Sequence, residues 1–116
     1  MRYVWASIIL VMLPVSSFAV DFRVTSPTMK ERSVIGNEHV YNGFGCSGHN
    51  VSPELQWEQA PEGAKSFAVT VYDPDAPTGS GWWHWVIFNI PPNATSLSAG
   101  AGKSDGSSAP QGSVQS

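Results

Sequence analysis

The sequence is poor in three things: cysteine, charge and long apolar runs. Cys46 is its only cysteine. No disulfide framework can therefore close within the 116 residues, and a Cys-rich metal centre is excluded. Charged residues make up 13% of the chain, six basic and nine acidic, with no run of Lys or Arg. That excludes the basic footprint of a nucleic-acid-binding or anionic-membrane-binding protein. It also speaks against disorder, which calls for low hydrophobicity and high charge, whereas 41% of this chain is hydrophobic. No apolar stretch reaches the roughly 20 residues of a membrane-spanning helix. The longest, Val4 to Val15, is twelve residues and is broken near its end by Pro14.

That stretch has another reading. Arg2 precedes it, and Ser17-Phe18-Ala19 follows with small residues where a signal peptidase cuts. Residues 1–19 are expected to be a signal peptide, which makes the product periplasmic or secreted, without a membrane span once cleaved. In such compartments cysteines pair, so a lone Cys46 is the anomaly.

What the chain does have is aromatics, five of them Trp, and short segments of β periodicity. Phe22 to Ser26 alternates and ends at Pro27, as an edge strand does. Glu38 to Tyr41 is a weaker strand candidate. Residues 42–53, rich in Gly, Asn and Ser, read as a long loop or a set of turns. Leu55 to Trp57 is a short strand with Leu55 and Trp57 on one side. Ala60 to Gly63 is a turn. Ser66 to Tyr72 sets Phe67, Val69 and Val71 against Ala68, Thr70 and Tyr72, with both faces suited to cover. Trp82 to Ile90 is apolar except for His84 and Asn89, as in a strand buried on both faces. No segment after residue 19 has the period of an amphipathic helix. Residues 20–99 thus read as part of an antiparallel β domain. Residues 100–116, rich in Gly and Ser, read as a loop or tail with little area to bury.

Chemistry concentrates in two segments, Asp73-Pro74-Asp75-Ala76-Pro77 and Gly81-Trp82-Trp83-His84-Trp85. Two prolines stiffen the first, holding the carboxylates of Asp73 and Asp75 in place at little entropic cost. Ala76–Pro77 is a candidate cis bond. In the second, strict alternation puts Trp82 and His84 on one face and Trp83 and Trp85, as core residues, on the other. A histidine in an apolar strand needs a partner, and Asp73 at the neighbouring strand end is the obvious one. Such pairing favours the imidazolium and fixes the tautomer, freeing the other ring nitrogen to donate to a phosphate or carboxylate oxygen. Trp82 would wall the ligand's organic part. The same pair is also how a purely structural histidine is satisfied, so spacing alone leaves both readings open. A metal site from Asp73, Asp75 and His84 with His39 or His49 lacks any paired-ligand spacing. Ser80 lacks the Gly-x-Ser-x-Gly elbow of a nucleophile. Asn50-Val51-Ser52 and Asn93-Ala94-Thr95 fit the glycosylation sequon.

Taken together, these two segments and Asn89-Ile90-Pro91 resemble the phosphatidylethanolamine-binding protein family, in particular its bacterial, Raf-kinase-inhibitor-like branch. Phe44-Gly45-Cys46, Asn50-Val51-Ser52-Pro53 with Leu55 and Trp57, and Pro61 to Val69 agree in order. The resemblance implies a β-sandwich whose pocket takes phosphate-type anions or phospholipid head groups. Asp73 and His84 match pocket residues, with Asp75 and Trp82 at its mouth. It implies no metal and no cofactor. It also implies a binding or inhibitory module, directed at a small anionic ligand or at a peptidase or kinase, rather than an enzyme. Members continue with a Gly-x-x-Pro-Pro-x-Gly-x-x-His-x-Tyr-like segment that completes the pocket. Nothing like it follows here, so a truncated domain is expected, without function in the limiting case. The partner of Cys46 is then expected to lie in the missing half.

Overall fold

A computed structural model describes residues 21–116. The expected signal peptide, residues 1–19, lies outside the described residues. Among them there is no helix. The described residues form eight strands: β1 (Arg23–Thr25), β2 (Asn42–Gly43), β3 (Cys46–Ser47), β4 (Leu55–Glu58), β5 (Phe67–Asp73), β6 (Trp82–Ile90), β7 (Ser96–Leu97) and β8 (Val114–Gln115). They build three antiparallel sheets, ordered β1-β4-β7, β2-β3 and β5-β6-β8.

The two three-stranded sheets enclose the core. β4 buries Leu55 and Trp57 and exposes Gln56 and Glu58, the alternation its sequence carries. With Leu97 these face Trp85, Ile87 and Ile90 of β6, and Phe67, Val69 and Val71 of β5 pack around them. Phe67 bridges the sheets, its ring 5.5 Å from Trp57 and 5.9 Å from Phe22. The Trp57 indole N–H is buried without an acceptor, a cost of about 1–3 kcal/mol.

Several expectations change. Glu38 to Tyr41 is a turn, not a strand. His39 makes it so: its side chain is buried, Nδ1 lies 2.7 Å from the Val51 carbonyl, and Nε2 lies 2.9 Å from the Thr28 hydroxyl. A ring that ties two loops has no nitrogen left for a metal. Within the expected loop, β2 and β3 form a hairpin. Its turn residues Phe44 and Gly45 both have positive φ, 50° and 86°, the pattern of a type I′ turn. Phe44 at its tip is fully exposed. The outer face of β5, expected to be covered, is exposed at Ala68, Thr70 and Tyr72.

Residues 100–116 are docked rather than free. Ala101 is fully buried. Gly100 and Gly102 donate N–H bonds to the backbone oxygen and hydroxyl of Ser52. β8 pairs with β6, Ile87 opposite Gln115 and Phe88 opposite Val114. Gln115 accepts the Trp85 indole N–H at 2.9 Å and donates to the Lys103 carbonyl at 2.6 Å. Between these contacts the chain runs through turns, one of which sets the Ser107 N–H on the Asp105 carboxylate and holds that carboxyl below its ordinary 3.8.

Candidate functional site

Asp73 closes β5 and Trp82 opens β6, and the two pair in register. The loop between them is shaped by its own side chains. Oδ1 of Asp73 accepts the Asp75 N–H at 2.9 Å, an Asx turn that the Asp-Pro-Asp sequence favours. The Ala76–Pro77 bond is trans. The Thr78 hydroxyl donates to the Gly81 carbonyl at 2.6 Å, and the Tyr72 hydroxyl donates to the Ser80 carbonyl at 2.7 Å. Gly81 has φ +76°, and a Cβ there would overlap the Tyr72 phenol and the Asp73 carbonyl.

With Oδ1 committed to the loop, Oδ2 of Asp73 is left for His84, whose Nε2 lies 3.5 Å away. That is the spacing of a loose ion pair rather than a tight hydrogen bond. Both side chains are roughly half exposed. Trp82 shares the face of Asp73, because paired residues share a face. The structure thus brings Asp73, Trp82 and His84 together at one strand end. Asp75 stands exposed in the adjoining loop, touching Asp73 through its backbone. Cys46 is free and exposed, on β3. Among the described residues no cluster of His, Cys, Asp and Glu could hold a metal.

Strict alternation does not hold along β6. Tyr72 pairs with Trp83 but Val71 pairs with Trp85, so β6 carries one residue more than β5 across this step. His84 is that extra residue, in a β-bulge. On one side of the bulge Asp73, Trp82 and His84 occupy the inner face. On the other, Trp85 and Ile87 occupy that same face, though their numbers have the opposite parity. Trp83 is therefore not a core residue. It is 56% exposed on the outer face, its ring tilted against Tyr72 with the centroids 4.6 Å apart. Trp85 is buried. A second irregularity lies between Phe67 and Val69, where β6 again carries an extra residue. There Asn89 has φ +57° and donates to the Gly112 carbonyl at 2.7 Å.

Sequence assigns no role at the site to Tyr72 or Thr78, gives Gly81 only as part of a motif, and takes Trp83 for a core residue.

Comparisons with known proteins bear on the family and the fold. The family model described as phosphatidylethanolamine-binding protein matches residues 25–116. The UPF0098 protein YbcL of Escherichia coli is 51% identical over 115 residues, covering 99% of this chain and 63% of the relative. UPF0098 protein YbhB of the same organism is 49% identical over 80 residues, 69% of this chain and 51% of the relative. The chain therefore spans less than two thirds of the length of these relatives. The crystal structure of E. coli YbcL, described as a new member of the mammalian PEBP family, superposes with a TM-score of 0.80 at 56% identity. It covers 82% of this chain and 58% of that one. A Chlamydia trachomatis PEBP homologue superposes with a TM-score of 0.60 at 30% identity, covering 69% and 52%. With a matching family model over most of its length and a sandwich in common with that crystal structure, this chain belongs to the phosphatidylethanolamine-binding protein family.

Proposed function

We propose that the chain is a binding module for phosphate-type anions or phospholipid head groups, with Asp73, Asp75, Trp82 and His84 as the contact residues. The observation that carries this reading is the His84–Asp73 pair, 3.5 Å apart and open to solvent at the end of β5 and β6. A histidine whose only purpose was structural would be closed in, as His39 is. Here Asp73 orients the imidazole and leaves the ring able to donate to an anionic oxygen. Trp82 offers an apolar wall beside it. The family name, given to proteins that bind a phospholipid, points the same way. The reading is of binding rather than catalysis, with no cofactor. Residues 1–19 support an exported, periplasmic or secreted product.

The test is calorimetric and NMR titration with inorganic phosphate and with phosphorylethanolamine. The expected result is saturable binding that moves the His84 ring resonances and is lost in His84→Ala and Asp73→Ala. Resonances of His84 that stay fixed at saturating ligand sink the site.

A second reading has the loops around the site dock a peptidase or kinase. Association with such a protein that survives Asp73→Ala with His84→Ala selects it.

A further inference from the structure

The pair of Asp73 and His84 is too loose to place the imidazole by itself. The two groups stand 3.5 Å apart and are about half exposed, and an ion pair so open to water holds its members weakly. The backbone must therefore aim the ring. There His84 is the unpaired residue of a bulge, with Trp83 set against Tyr72 before it and Trp85 against Val71 after it. What keeps the bulge at this position is the side chain that follows. Strict alternation from Trp83 would send Trp85 to the outer face, and the unpaired position would then pass from His84 to the residues beyond it. Trp85 stays buried on the inner face instead, because two other segments grip its indole. Oε1 of Gln115 accepts its N–H at 2.9 Å, and Gln115 is fixed in turn by its own bond to the Lys103 carbonyl. Gly102 lies so close to the ring that a Cβ there would stand 3.0 Å from Cε2 of Trp85. The Ser52 hydroxyl accepts the Gly102 N–H at 2.8 Å and holds it in place.

We infer that Gln115 is a positioning residue of the anion site. By binding the Trp85 indole on the inner face it fixes the bulge at His84, and with it the direction of the imidazole. Ser52 acts to the same end through Gly102. The inference rests on the reading of Asp73 and His84 as an anion site, in which neither Gln115 nor Ser52 is a contact residue. Both act through Trp85, whereas Gly81 acts through Tyr72 and Asp73. A ring free to turn binds an anion more weakly, because it must be ordered when the ligand arrives.

The experiment compares the unaltered chain with Gln115→Leu, which keeps bulk on β8 and cannot accept the indole N–H. Inorganic phosphate is titrated by calorimetry. The ring resonances of His84 and the indole proton of Trp85 are followed by NMR with and without it. In the free chain Gln115→Leu is expected to shift or broaden both, while the exposed His49 keeps its resonances. Phosphate affinity should fall by about threefold to tenfold, as loss of one hydrogen bond does. Ser52→Ala should act in the same direction. Gln111→Leu, exposed in the turn before β8, should change nothing. In a Trp85→Phe chain, which has no indole N–H to bind, Gln115→Leu should cost no further affinity. Two results overturn the inference. One is a Trp85 proton that moves while His84 stays fixed, which leaves Gln115 a part of the core alone. The other is an equal loss of affinity from Gln115→Leu in the Trp85→Phe chain. An unaltered chain that ignores phosphate overturns the anion reading instead, and the His84 resonances of the free chains then decide this inference by themselves. Should Gln115→Leu fail to fold, Ser52→Ala is read in its place.

Discussion

Gly81 shows how one residue holds the site without touching a ligand. It sits in the left-handed region, and the space a side chain would need belongs to the Tyr72 phenol and the Asp73 carbonyl. Gly81→Ala should therefore destabilise the chain by about 1–3 kcal/mol, through backbone strain and steric overlap together. A urea titration checks the size. The more specific sign is that the Asp73–His84 pair should loosen, because the Tyr72 hydroxyl loses its grip on Ser80. A Gly81→Ala chain with an unchanged urea midpoint and unchanged His84 resonances would remove this loop from the account of the site. His39 makes the opposite point. Both nitrogens of its ring are spoken for by Val51 and Thr28, so it can be told from His84 by burial alone, which sequence spacing does not reveal.

At the scale of elements, much was legible, and each exception has its own physical cause. β4, β5 and β6 lie where the periodicity of Leu55–Trp57, Ser66–Tyr72 and Trp82–Ile90 puts them. The partnership of Asp73 with His84 follows from the strand ends meeting. What sequence does not display is a bulge, because an unpaired residue breaks the rule that every second side chain shares a face. Trp83 is misplaced by that rule for this reason alone. The turn at Glu38–Tyr41 is misread because the bonds that fix it come from Thr28 and Val51, distant in sequence. The bulge makes a testable claim. Deleting His84 restores a regular ladder with Trp83 still outside and Trp85 still inside. That deletion should cost only about 1–2 kcal/mol of stability and keep the Trp85 indole N–H bonded to Gln115, while removing the side chain on which the proposed anion binding rests. Deleting Val86 reverses the faces beyond it and should prevent folding. The indole proton spectrum and a urea midpoint separate the two outcomes.

At the scale of the whole molecule, the core is modest. Among the described residues seven buried hydrophobic side chains sit between two small sheets, and small cores of this order stabilise by only a few kcal/mol. With Tyr72, Trp83, Phe88 and Val114 exposed on the outer face of the β5-β6-β8 sheet, the chain should bind anilinonaphthalene sulfonate at neutral pH. Trp83→Lys should reduce that fluorescence severalfold, and a chain that ignores the dye would show that the face is already covered in solution. The clasp of Gln115 on Trp85 and Lys103 has a consequence for the order of events during synthesis. Trp85 and the strands around it leave the ribosome well before their last hydrogen-bond partner exists. A growing chain therefore holds its aromatic core half-made until Gln115 emerges, and over that interval it depends on whatever chaperone meets it first.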